Sequence, residues 1–134
     1  MTRLSARAGR AIWSGQAAGV ALVSAAPISF YGGIDLETGV VTEQGHPLEG
    51  VAIGGSILVF PRGKGSTVGS YALLRLRKGG IAPAALVMEA CDTTVAVGAI
   101  IAEIPCVDQV EIAAIRSGDS VAVDGAGVTV VAHG

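Results

Sequence analysis

Charge is what this chain has least of. Of 134 residues only 15% are charged, nine basic against eleven acidic, for a formal net charge of −2. A soluble domain ordinarily carries about a quarter. The balance excludes a general nucleic-acid binder, which presents a basic stripe to phosphates. So little charged surface on a small domain suggests that a partner covers part of it. Aromatic residues are equally sparse at 4%, which leaves the core to small aliphatic side chains. Metal-binding side chains are few: two cysteines, Cys91 and Cys106, outside any CxxC pair, and two histidines, His46 and His133. A tetrahedral zinc site takes four good ligands and an iron–sulfur cluster three or four cysteines, so this chain alone supplies neither. Both cysteines read as buried small hydrophobes; a disulfide between them stays open, though nothing calls for an oxidising compartment. No apolar run is long enough to span a membrane. Arg3, Arg7 and Arg10 crowd the first ten residues, but Trp13-Ser14-Gly15-Gln16 break the apolar continuity that a signal peptide needs after its cations, so none is read there. The expectation is a cytoplasmic protein bound to neither nucleic acid nor membrane.

What is abundant is small and apolar. The sequence is 51% hydrophobic, mostly Ala, Val and Ile, and holds 20 glycines. That mixture favours short strands and tight turns. The length suits a single domain, 1–134, with its own core, and residues 1–15 read as a peripheral N-terminal segment. Strands are expected at 19–23, 57–60, 84–88, 104–107, 121–124 and 128–131, and a shorter one at 40–43. The last pair, across Gly125-Ala126-Gly127, reads as a hairpin. Pro27 to Asp35 mixes Pro, paired Gly and two aromatics, the marks of a structured loop. A helix is expected over 68–78: Arg75, Arg77 and Lys78 suit its negative end, and Gly79-Gly80 stop it. The apolar run 95–102 fits a short helix or a buried strand. The sum is a mixed α/β domain.

The chemistry concentrates in Pro61-Arg62-Gly63-Lys64-Gly65-Ser66-Thr67-Val68-Gly69-Ser70-Tyr71, between the apolar strand Ile57-Leu58-Val59-Phe60 and the helix. A glycine-rich turn from strand to helix aims backbone N–H groups and a positive helix end at one spot, which suits an anion. Three readings stand side by side. Ser66 caps the helix and the glycines relax the turn. Alternatively the loop holds an anionic group, with Lys64 and Arg62 as charges. It is neither a Walker A loop nor a GxGxxG fingerprint, so a single anionic group fits better than a nucleotide. The third reading makes Ser66 a general base. An alcohol loses its proton only far above neutral pH, as bulk water does. A helix end contributes about 0.3–1 kcal/mol, at most ~2, or roughly 1–1.5 pH units. That is far too little at neutral pH, so a base at Ser66 requires further charges, from Lys64, Arg62 or a partner.

Other residues have plainer readings. Ser29, beside Pro27 and Gly32-Gly33, either faces the same site or belongs to a rigid turn. His46 before Pro47 reads as a turn residue, and Asp35 and Asp119 as bonded to local backbone. Glu103, Asp108 and Glu111 read as a solvated face rather than a carboxylate pair.

Taken in order, 24–35 (SAAPISFYGGID), His46-Pro47-Leu48, 63–71 (GKGSTVGSY), Ala82-Pro83-Ala84-Ala85, 96–102 (AVGAIIA) and Ile104-Pro105 resemble the small subunits of the aconitase X family. The likeness runs from about Gly19 to Val131. It implies a swivelling β/β/α domain, like the mobile domain of aconitase. It implies a large partner subunit that carries an iron–sulfur cluster on its own cysteines, whose iron acts as Lewis acid on a leaving hydroxyl. It implies a hydro-lyase in which the serine of the GxGS segment, here Ser66, is the base, with Arg62, Lys64, Gly65, Thr67 and Ser29 about an anionic small-molecule substrate. Two substrates come with the family: (R)-5-phosphomevalonate, dehydrated to trans-anhydromevalonate 5-phosphate in a modified mevalonate route to isoprenoids, and cis-3-hydroxy-L-proline. The Gly-Lys-Gly-Ser-Thr-Val-Gly-Ser-Tyr wording is closer to the first, while Tyr31 departs from the usual tryptophan or apolar residue. The rival outside the class is a non-catalytic module that only closes over a partner's site.

Overall fold

Strand alternation builds two cores. In a computed structural model describing residues 2–64 and 68–133, the elements run β1 (Thr2–Ala8), β2 (Arg10–Trp13), β3 (Gln16–Val23), β4 (Ile57–Phe60), α1 (Gly69–Lys78), β5 (Ala85–Met88), α2 (Thr93–Ala102), β6 (Cys106–Asp108), β7 (Ser120–Asp124) and β8 (Gly127–His133), with a 3-10 turn at Ile112–Ala114. Successive strand residues face opposite ways. Leu58, Phe60, Leu86, Met88 and Cys106 therefore pack under Ala72, Leu73 and Leu76 of α1 and Val95, Ala99 and Ala102 of α2. Ile57, Val59, Ala85, Val87 and Val107 turn the other way, onto Val121, Val123, Val128 and Val130 of β7 and β8. Because both faces are covered, β4, β5 and β6 are buried throughout and read as unbroken apolar runs. The result is the β/β/α layering that the family resemblance implies.

The strand order is β1-β8-β7-β3-β4-β5-β6-β2. β3 to β6 are mutually parallel; β2 joins β6, and β7, β8 and β1 join β3 in turn, all antiparallel. β3 belongs to both layers: Gln16 to Val20 pair with β7 and Ala21 to Val23 with β4. Residues 1–15, expected as a peripheral segment, supply β1 and β2 at the two ends of this order, with Gly9 alone between them.

The helices end as their sequences direct. Gly80 takes a positive φ of 74°; its N–H bonds Arg77 O at 3.1 Å and that of Ile81 bonds Leu76 O at 3.0 Å, a Schellman stop. The ambiguous run 95–102 is helical because Asp92 caps it, accepting the Val95 N–H at 3.3 Å. Its periodicity is hidden because nearly every position is apolar. α2 lies close on α1 through Gly98, where a Cβ would stand 2.6 Å from Leu73 Cδ1. Two strand expectations need correction. Residues 40–43 form only isolated bridges, Ile34–Val41 and Val40–Ala52, and β6 starts at Cys106, after Pro105 has removed an N–H from the ladder. Among the described residues no helix is long and apolar enough to cross a membrane.

Candidate functional site

Parallel strands deliver their following loops to one end of a sheet, where ligands are usually met. Here the loops after β3 and β4 emerge side by side and continue the ladder. Ile28 bridges Gly63, with Ile28 N–H on Arg62 O at 3.2 Å and Lys64 N–H on Ile28 O at 3.0 Å. From the far side, Asp92 Oδ1 accepts the Gly63 N–H at 2.9 Å. Gly63 is held between these two partners, and only glycine fits: a Cβ would stand 2.5 Å from Val95 Cγ2 and 2.8 Å from Asp92 Oδ1. Lys64 reaches out of the loop to Glu43 Oε2 at 2.8 Å. A Cβ on Gly33 would lie 3.3 Å from both Glu43 Oε1 and Ser29 Cβ, so Ser29, Gly33, Glu43 and Lys64 surround one place. Ser29 Oγ donates to Tyr31 O at 2.7 Å, the local turn bond of its plainer reading. Arg62 is exposed on the same loop.

Gly65, Ser66 and Thr67, the expected base and two of the expected substrate contacts, lie outside the described residues. The N-cap of α1 is Val68. Tyr31, Val68 and Tyr71 are exposed apolar residues along these same segments.

Sequence reasoning missed three residues. Glu43 carried no local signal; its place is set by backbone, Thr42 and Glu43 N–H both bonding Gly33 O. His46 is buried rather than a plain turn residue. Its Nδ1 accepts the Leu48 N–H at 3.0 Å, so Nε2 carries the hydrogen and donates to Pro27 O, also at 3.0 Å. The tautomer follows from these partners. The ring pins the 43–50 segment to the loop after β3. Asp92 was legible as a cap, since Asp before Thr-Thr and an apolar run is a helix-start signal.

A second polar cluster lies at β6. Asp108 is buried, not on a solvated face; it accepts Arg10 Nε at 3.0 Å and Nη2 at 2.8 Å, and the Cys91 N–H at 2.9 Å. Burial alone would raise its pKa, but the Arg10 bonds, the Cys91 N–H and the guanidinium charge outweigh this and hold the carboxyl below its ordinary value. Asp108 in turn raises the Arg10 pKa, chiefly by the side-chain bonds. Cys91 and Cys106 are both free, with sulfurs 4.0 Å apart. Their contact lowers the pKa of the half-buried Cys91 and, with burial, raises that of Cys106. Asp35 and Asp119 bond local backbone, at Glu37 and Arg116 N–H.

Among the described residues no group of three or more His, Cys, Asp or Glu side chains is placed to hold a metal. The two thiols face each other, and the Asp108 carboxylate is taken up by Arg10 and the Cys91 backbone N–H, so this donor set does not fit an iron–sulfur cluster. A cavity of about 560 Å³ opens at the opposite end of the sheet, between Trp13, Gln16, Arg77, Glu103 and Pro105, away from the glycine-rich loop.

Layers of β, β and α, with loops gathered at one end of the parallel strands, define a swivel domain of the aconitase kind. The chain belongs to the aconitase X swivel domain family, whose family model matches residues 6–132. It is 52% identical over 116 residues to the phosphomevalonate dehydratase small subunit of Thermococcus sibiricus, covering 87% of this chain and 89% of that one. It is also 52% identical over 120 residues to the subunit of the same name from Methanocella arvoryzae, covering 87% and 91%. The crystal structure of Thermococcus kodakaraensis aconitase X in its holo-form superposes with a TM-score of 0.92 at 46% identity, covering 94% of this chain and 98% of that one.

Proposed function

We propose that this chain is the small subunit of a cytoplasmic phosphomevalonate dehydratase, a hydro-lyase acting only when paired with a large subunit that carries the iron–sulfur cluster. The observation that carries this is the identity of about half of all residues, over most of both chains, with subunits of that name. In the reaction a C–H and the neighbouring C–OH bond of (R)-5-phosphomevalonate break, a C=C forms, and water and trans-anhydromevalonate 5-phosphate leave.

Within this reading Ser66 Oγ takes the proton from carbon. The N–H groups of Gly65 and Thr67 and the charges of Arg62 and Lys64 bind the phosphate, with Ser29 beside them. Two cations on one glycine-rich loop favour a phosphorylated substrate over hydroxyproline. Lys64 is already paired with Glu43, so the phosphate competes with a carboxylate for it. An alcohol needs far more help than a helix end gives, so charge from the partner completes the base. Exposed Tyr31, Val68 and Tyr71 offer that partner an apolar rim.

The test is to assemble the chain anaerobically with its large subunit and supply 5-phosphomevalonate and cis-3-hydroxy-L-proline separately. Turnover of the first only, abolished by Ser66→Ala with assembly intact, is expected. Full turnover by Ser66→Ala would remove the base and leave a closing module; turnover of hydroxyproline alone would replace the substrate.

A further inference from the structure

We infer that Asp92 is a positioning residue for the serine loop, a role distinct from its capping of α2. The inference rests on the reading of Ser66 as the base. One carboxylate divides its two oxygens between two elements: Oδ1 accepts Gly63 N–H at 2.9 Å and Oδ2 accepts Val95 N–H in the first turn of α2 at 3.3 Å. On its other side Gly63 is in the bridge to Ile28. Gly63 thus fixes the loop to the sheet and to α2 at once, three residues before Ser66. The Gly63 bond is the shorter and stronger of the two.

Capping alone does not require aspartate. Serine and asparagine cap about as well. Reaching two N–H groups at once does require it, because the side chain must be short and offer two acceptors. Serine has one oxygen, too close to the backbone to span both. Asparagine has one acceptor and turns an NH2 donor toward the other N–H. The absence of a Cβ at Gly63 completes the fit, since a Cβ would lie 2.8 Å from Asp92 Oδ1. Gly63 therefore lies against the first turn of α2, held there by the carboxylate.

Asp92→Ser separates the two roles. It keeps a helix cap and removes the Gly63 bond. In the assembled complex kcat should fall about 10- to 100-fold, the scale of a small misplacement of a reacting group, with KM changed at most a few-fold and the melting temperature close to wild type. In the full chain alone, amide exchange at Gly63 should quicken about fivefold, the worth of one hydrogen bond, while exchange at Val95 is unchanged. Unchanged kcat and unchanged Gly63 exchange would overturn the inference. So would a loss of kcat that tracks a loss of melting temperature equally in Asp92→Ser and Asp92→Ala, since that is capping alone. The dehydratase reading fails separately: it falls if the wild-type complex turns over neither compound, and the Gly63 exchange still decides whether Asp92 clamps the loop.

Discussion

Two carboxylates, Asp92 and Asp108, hold two regions of this domain in different ways. Asp108 is buried, is paired with a cation and ties β2 to β6 and to the Cys91 N–H. Asp92 is half-buried and, among the described residues, its side chain bonds only backbone N–H groups, of the serine loop and of α2. The first arrangement fastens framework to framework, where the requirement is to stay folded. The second fastens a loop to the framework, where the requirement is to stay in position. Changes at β6 should therefore be read in stability, and changes at the loop in turnover.

The largest effect that would break this contrast is at Ser66. Ser66→Ala should lower kcat by about 10²- to 10⁴-fold, the range for removing a general base, with a melting curve that matches wild type. Next comes Gly63→Ala, whose new methyl meets Val95 and Asp92. It should cost about 1–3 kcal/mol as overpacking and about 100-fold in kcat, so the turnover loss exceeds what unfolding explains. Denaturant melts and steady-state rates together check this.

At β6 the order reverses. Asp108→Ala leaves the Cys91 N–H without its acceptor and should destabilise by about 1–3 kcal/mol, with the remaining folded fraction turning over normally. The pH dependence sharpens the point. The folded Asp108 carboxyl titrates below its ordinary 3.8, so its contribution is complete above that value and drains away as pH falls through the lower native one. Urea melts of wild type and Asp108→Asn should differ at pH 7 and converge in strong acid. A gap as wide in strong acid as at pH 7 would mean the carboxylate charge is irrelevant.

Smaller effects lie at the loop's exposed rim. Lys64→Ala should raise KM for a phosphorylated substrate about tenfold, the worth of one charged hydrogen bond, and leave KM for an unphosphorylated one alone. Glu43→Gln should change stability by at most about 1 kcal/mol, as half-exposed ion pairs do, and lower KM slightly by freeing Lys64.

The framework was largely legible in the sequence, the site only in part. Ile57 to Phe60 and the 121–131 hairpin announced themselves because β-branched runs bounded by glycine have few alternatives. The helix at 93–102 did not, because an all-apolar helix has no polar face to give it a period; only Asp92 marks its start. At the site, the glycine-rich loop stood out by local composition. Glu43, His46 and the Asp108–Arg10 pair did not, since each acts on a partner far off in sequence: Lys64 for Glu43, Pro27 for His46, a β2 arginine for Asp108.

β1 and β2 occupy opposite ends of the strand order yet are joined through Gly9 alone. The opening of the chain thus supplies the outermost strand at both margins, covering β8 on one side and β6 on the other. Free margins invite other chains to pair. A cut between Trp13 and Gln16 would undo both at once, baring β8 on one side and β6 on the other, and an apolar domain of this kind would then be drawn to copies of itself.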